Sequence, residues 1–363
     1  MSQFLGGKCW GHRLLVPSTI LATWATSIGL IFLTLVACAQ APLEKKPTLY
    51  WPEPPDPPKI AFVQHLSEPK DIGVKPSWFK KVVQFIFGEG PVPHLLRPSG
   101  ISVDEKGGVY VADTGLQAVH YFDPGTHQYR QYFNLPLPFR RLQNPIGVAV
   151  DGVGQLYVSD ADFNRVFVYS ADGESVRVIG RDEEMRRISG IAIDRSRERL
   201  YVVDTMGHQV LIYTLSGEMK GSIGKRGTGD GELNFPTYAA VDREGRLYIS
   251  DSLNFRVQVF DPDGKFQSEV GNIGNRLGQF SRPKGVAVDG ADHLYVVDTL
   301  YDNVQIFDRA GALLLHFGKS GMEDGSFWLP AGIAVDRVGR IYVADSYNQR
   351  VQVFQLLEGE GPS

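Results

Sequence analysis

The stretch from Leu329 to Phe354, LPAGIAVDRVGRIYVADSYNQRVQVF, recurs up the chain with the same punctuation. Aligned on the Asp that ends its first apolar run, it is present in six copies, at Asp104, Asp151, Asp194, Asp242, Asp289 and Asp336, spaced by 47, 43, 48, 47 and 47 residues. A second Asp closes the next run in each copy, at Asp113, Asp160, Asp204, Asp251, Asp298 and Asp345, and a Val follows it six residues later every time. Two markers that hold one register make chance a poor explanation, so the chain is built from one unit repeated.

Within a copy the pattern reads as strands. Gly332 to Asp336 is a short apolar run, Gly339 marks a turn, Ile341 to Asp345 is a second run, and a polar loop leads to Val351-Gln-Val-Phe354. Most copies add a turn and a fourth run, as in Asp261-Pro-Asp-Gly264 followed by Lys265 to Val270. Four short antiparallel strands in a period of about 45 residues predict a β-propeller blade, and six periods predict an all-β, six-bladed β-propeller. At 363 residues, 43% apolar and 21% charged, the chain has the composition to bury such a core. A net charge of −4 offers no basic face for nucleic acid, so that class of partner is set aside.

The repeats resemble the NHL family, on the strength of Pro330-Ala-Gly332, Ile341-Tyr-Val-Ala-Asp345 and Asn348-Gln-Arg-Val351. No Trp-Asp dipeptide occurs, which disfavours the WD40 relatives. The resemblance covers the chain from about Leu96 onward. It implies a fold far more strongly than a function, because propellers host unrelated chemistries.

The chain starts differently. Lys8 and Arg13 precede an uncharged run from Leu14 to Ala37 that ends in Leu35-Val36-Ala37-Cys38, which looks like the lipobox of bacterial lipoproteins. The resemblance implies a signal peptide over residues 1–37 and lipidation of Cys38, hence a membrane-tethered envelope protein. Ala39 after the cysteine favours the outer membrane under the enterobacterial sorting rule, with inner-membrane anchoring as the alternative. Residues 38–58 are rich in proline and read as an extended tether. The propeller is then expected over 59–363. Both cysteines, Cys9 and Cys38, precede it.

The last copy lacks room for a fourth strand, while Ile60 to Leu66 is a strand-like run with no blade of its own. An N-terminal strand that completes the last blade removes an open sheet edge. Between it and the first copy lies an insertion at 67–95, unlike any other connection. After Pro76, Ser77 to Phe87 has Trp78, Val82, Phe85 and Ile86 at helical spacing, with Phe79, Val83 and Phe87 off that face. It reads either as a helix packed on the ring or as a contact for a partner or the membrane.

The chemistry-bearing residues divide into those that repeat and those that do not. The acids recur in register and are expected to serve turns and loops. The residue between Pro and Gly in each copy is expected near the channel mouth: Ser99, Ile146, Ser189, Thr237, Lys284 and Ala331, with Tyr238 replacing the glycine in the fourth copy. Peptidyl-hydroxyglycine amidating lyases, a six-bladed family resembling this chain, carry zinc-binding histidines on such strands. Here the slot holds none, and no metal or other cofactor is expected. Calcium-dependent lactonases resemble the chain in fold only. Lys284 and Tyr238 form a candidate anion contact, with a solvated rim lysine as the plainer reading. Phe235, Phe280 and Phe327 end three Gly-rich connections and are expected to wedge between blades. The first interblade loop carries Phe139, Arg140 and Arg141, an aromatic and arginine mixture of the kind found at hot spots. The expectation is a non-enzymatic module that binds or scaffolds an envelope protein or peptide, with Trp78, Phe79, Phe85, Phe139, Arg140, Arg141, Tyr238 and Lys284 as binding candidates. The alternative is a metal-dependent lyase or hydrolase.

Overall fold

The computed structural model describes residues 49–53, 55–74, 93–174, 176–181 and 184–357. Cys38 and the predicted helix at Ser77 to Phe87 lie outside them. Six sheets follow one another along the chain: 98–132, 145–179, 188–223, 236–270, 283–317 and a last sheet built on 333–356. In the first five, consecutive strands pair antiparallel, from an inner strand that leads the repeat to an outer strand at its end. This is a six-bladed β-propeller. The only helical turns among the described residues are two 3-10 turns, Pro69–Ile72 and Ser252–Asn254.

The apolar runs map onto burial as blade stacking requires. In the fourth blade the second strand, Leu247–Asp251, and the third, Arg256–Phe260, are buried at every position, whereas the outer Phe266–Val270 is mostly exposed. A middle strand has a neighbouring blade on each face, so it reads as continuous apolar sequence rather than as an alternation.

Each repeat marker has a local task. The first Asp caps the turn after the inner strand: Asp336 Oδ1 accepts from the amides of Val338 and Arg340 at 3.0 and 2.8 Å, and Asp242 and Asp289 do the same in their own blades. Its other oxygen accepts from the tyrosine hydroxyl of the second strand, at 3.1 Å from Tyr342 and 2.9 Å from Tyr295. The second Asp is fully buried in all six blades and accepts amide hydrogens from the loop that enters its blade, as at Leu96, Gln143, Arg187, Asn234, Ser281 and Trp328. In blades four and six it also holds Arg256 and Arg350, at 3.0 and 2.9 Å. A buried carboxylate is tolerable only with such partners.

Blades are joined at two levels near the axis. Hydroxyls that follow the second Asp reach the next blade: Thr205 donates to Pro236 O, Ser252 to Pro283 O, Thr299 to Pro330 O and Ser346 to Pro98 O, at 2.6 to 2.7 Å. Glycines of the inner strands let neighbouring backbones approach. A Cβ on Gly332 would lie 2.2 Å from Ser99 O, and one on Gly100 would lie 2.5 Å from Ile146 O.

The ring closes as expected. Ile60–Leu66 pairs with the third strand of the last blade, with Ile60 opposite Leu356 and Leu66 opposite Val351. Closure goes one strand further, because Tyr50–Trp51 pairs with this segment and Trp51 packs 6.0 Å from Phe317 and 5.6 Å from Phe354. The end of the predicted tether is therefore packed structure. Proline content argued for an extended chain, but it carried no information about the apolar surface of Trp51. A second expectation shifts register. Phe280 and Phe327 are fully buried at blade entrances, and their counterpart before blade four is Leu233, also fully buried, not Phe235. Phe235 has φ 51° and stands against His208 at 4.6 Å. The wedge sits three residues before the proline, and aligning on aromatic character alone missed it.

Candidate functional site

The loops that enter the inner strands and those linking second to third strands lie at one end of the ring. The channel mouth at this end contains the Pro-x-Gly slot. Its hydroxyls are spent on the framework: Ser189 bonds Thr205 Oγ1 and Thr237 O, both at 2.7 Å, and Thr237 bonds Ser252 Oγ at 2.7 Å. Two side chains break the pattern. Tyr238 stands where other blades have glycine, and its hydroxyl lies 3.2 Å from Ser99 Oγ. Blades four and one face each other in a six-membered ring, so Tyr238 reaches across the channel. Burial pushes its phenol up to about 12, which keeps it a neutral hydrogen-bonding group. Lys284, in the adjacent slot, is half-buried, and its ammonium has no hydrogen bond or ion pair among the described residues. Desolvation, reinforced by Arg282, holds its pKa below the usual lysine range. The mouth thus presents an under-solvated cation in blade five and a phenol from blade four, groups that suit a carboxylate or carbonyl acceptor.

The surrounding loops are apolar at their tips. Leu96, Leu137, Met206, Leu253, Ile273, Leu277, Leu300, Tyr301, Met322, Trp328 and Tyr347 are all exposed there, while among the described residues the turns at the other end expose Val153 and Val338 as their large apolar side chains. Trp328 and Tyr347 pack at 5.6 Å, and the Arg97 guanidinium lies 5.5 Å from the Tyr347 ring centre.

Of the binding candidates in the sequence, Tyr238 and Lys284 both belong to this mouth, on the inner strands of adjacent blades. Phe139 turns inward, 5.1 Å from both Phe163 and Phe167, so it serves the junction of blades one and two. Arg141 donates to Leu116 O at 3.1 Å and covers Phe133, whereas Arg140 is exposed. The exposed tip of that loop is Leu137. Trp78, Phe79 and Phe85 lie outside the described residues. Sequence reading missed the trio of Trp328, Tyr347 and Arg97, although Trp328 adjoins the Phe327 wedge and Tyr347 follows the second repeat Asp by two residues. Among the described residues, no three acids or histidines are grouped to hold a metal ion.

The NHL repeat model matches residues 327–354, and a family model described as a 6-bladed beta-propeller matches residues 146–225. The chain is a six-bladed propeller of NHL type. Solved structures similar to this NHL propeller include a streptogramin B lyase, with 12% identity and a TM-score of 0.56 over 72% of this chain and 94% of the other. Virginiamycin B lyase from Staphylococcus aureus has 14% identity and a TM-score of 0.53 over 72% and 95%. Kuenenia stuttgartiensis hydrazine synthase has 14% identity and a TM-score of 0.52 over 71% and 95%. At such identities the likeness is one of fold. The comparison with curated proteins returned no match.

Proposed function

We propose that this NHL propeller is a non-enzymatic binding or scaffolding module that holds a protein or peptide of the bacterial envelope on its loop-bearing face. One observation carries the reading: exposed apolar side chains are concentrated at the loop tips of that face, around a half-buried, unpaired Lys284. An exposed apolar surface of this kind is covered by a partner in many proteins. Trp, Tyr and Arg, here Trp328, Tyr347 and Arg97, are the types that concentrate binding energy once water is excluded. Lys284 would take an acidic side chain or a chain terminus at the centre. Trp78, Phe79 and Phe85 of the insertion would extend the surface, and Arg140 lies on its rim. The lipobox-like Leu35 to Cys38 supports tethering to a membrane, most simply the outer membrane, with the ring held off it by the proline-rich segment.

The second reading is a metal-dependent lyase or hydrolase. The fold of the two lyases named above favours it. Cross-linking in cells with mass spectrometry and metal analysis of the same preparation separate the two. The binding reading expects a stoichiometric partner linked to the loop-bearing face and lost in a Trp328→Ala, Tyr347→Ala double variant that still folds. A preparation with no partner and one tightly held metal would overturn it in favour of an enzyme.

A further inference from the structure

The opposite end of the channel has a different chemistry. A cavity of about 410 Å³ opens there, lined by residues of the turns after the inner strands of blades one, three, four, five and six. The position after the turn-capping Asp holds Glu105, Gly152, Arg195, Arg243, Gly290 and Arg337 in chain order. Repetition therefore delivers three guanidinium groups to one mouth. Two of them already grip a carboxylate: Arg195 Nη1 and Arg337 Nη2 lie 2.8 and 2.5 Å from Glu105 Oε1. The third, Arg243, has no hydrogen bond or ion pair among the described residues. It leans over Gly290, where a Cβ would come within 2.5 Å of its Nη2.

The acids around the cavity do not compete strongly for Arg243. Asp104, Asp194, Asp242, Asp289 and Asp336 each spend one oxygen on the amides of their own turn. Asp194, Asp242 and Asp289 also have Arg197, Arg246 and His293 at 3.3, 2.6 and 2.9 Å. Glu105 shows that the mouth can clasp an oxyanion, and Arg243 offers the donors that Glu105 leaves unmatched.

We propose that this mouth is a binding site for a small oxyanion, a phosphate or carboxylate group of a soluble ligand, held by Arg243 together with Arg195 and Arg337. Guanidinium groups suit it because their forked donors match both anions bidentately. The site is distinct from the partner face and stands whether or not that face binds a protein.

The test is calorimetric titration of the full chain in neutral detergent with inorganic phosphate and, separately, with succinate, at low and constant ionic strength. Wild type is expected to bind at least one of them saturably with one equivalent, and the stronger of the two arms identifies the ligand class. Arg243→Gln should weaken binding at least about tenfold with an unchanged melting temperature. Arg243→Lys should fall between, because it keeps the charge and loses the fork. Glu105→Gln should tighten binding by removing the resident competitor. No saturable heat with either anion, or equal affinity in wild type and both Arg243 variants, would overturn the assignment.

Discussion

At one third-strand position, blades four, five and six carry Gln258, Gln305 and Gln352, each bonded to the loop that enters its blade. Blade one carries His120 there, fully buried, with Nδ1 2.8 Å from Tyr129 Oη and Nε2 without a hydrogen-bond partner. Burial pushes its pKa down from 6.5 to about 4, against the pull of Asp113. The unfolded chain therefore takes up a proton first, and the stability His120 contributes, complete above about pH 6.5, is lost as the pH falls toward 4. His120→Gln should be more stable than wild type by about 2 kcal/mol at about pH 5 and converge with it near neutrality. Denaturant melts of both proteins across that range check this, and a pH-independent difference would refute it. Glycine offers a second contrast at the same scale. Gly332→Ala puts a methyl 2.2 Å from a backbone oxygen of blade one and should cost about 3 kcal/mol or more, whereas Gly152→Ala meets nothing within 4 Å and should stay within about 0.5 kcal/mol. Thermal unfolding of the pair decides it. The glycines occupy different positions of the repeat, and what sets their cost is the distance to another blade.

Among elements, the closing segment matters most. Ile60 and Leu66 are fully buried, and Tyr50–Trp51 extends the last sheet. Deleting residues 59–66 leaves the third strand of blade six with an open edge, so cooperative unfolding should collapse; an unchanged melting curve would show that closure is dispensable. Trp51→Ala should be milder, about 2 kcal/mol, because the ring is partly rather than wholly buried. The strand was legible in the sequence as a run without a blade. The pairing of Tyr50–Trp51 was not, because two residues carry no period and their burial depends on where the closed ring places Phe317 and Phe354. Register in the blade-entry loops was hidden for a related reason. Leu233 and Phe280 fill equivalent gaps by volume and position, and neither property is visible in residue class alone.

For the whole molecule, the two ends of the channel are opposite in character. One is apolar and aromatic at its loop tips around the half-buried Lys284, and the other is a ring of arginines and turn-capping acids. Such asymmetry suits a ring that meets different partners on its two faces. The proposed lipid tether predicts that Cys38→Ser leaves an unprocessed precursor without lipid, read by mass and by incorporation of labelled fatty acid. A variant that still matured and still took up label would refute it. Stable anchoring needs more than one acyl chain, each buried methylene adding roughly 0.8 kcal/mol, so loss of the cysteine should release the protein from membranes if the signal is otherwise removed.

The sequence by itself determined the number of blades, the order of their strands, the role of the recurring acids and the need for an N-terminal closing strand, because all of these follow from periodicity and local turn chemistry. Only the tertiary structure decided that Tyr238 spans the channel to Ser99, that Phe139 faces inward, and that Trp328, Tyr347 and Arg97 gather on one face while Arg195, Arg243 and Arg337 gather on the other. The Tyr238–Ser99 and Arg97–Tyr347 contacts and the gathering of the arginines join blades far apart in the chain. These long-range contacts come into being when the ring closes, and closure is a property of the six units together rather than of any one.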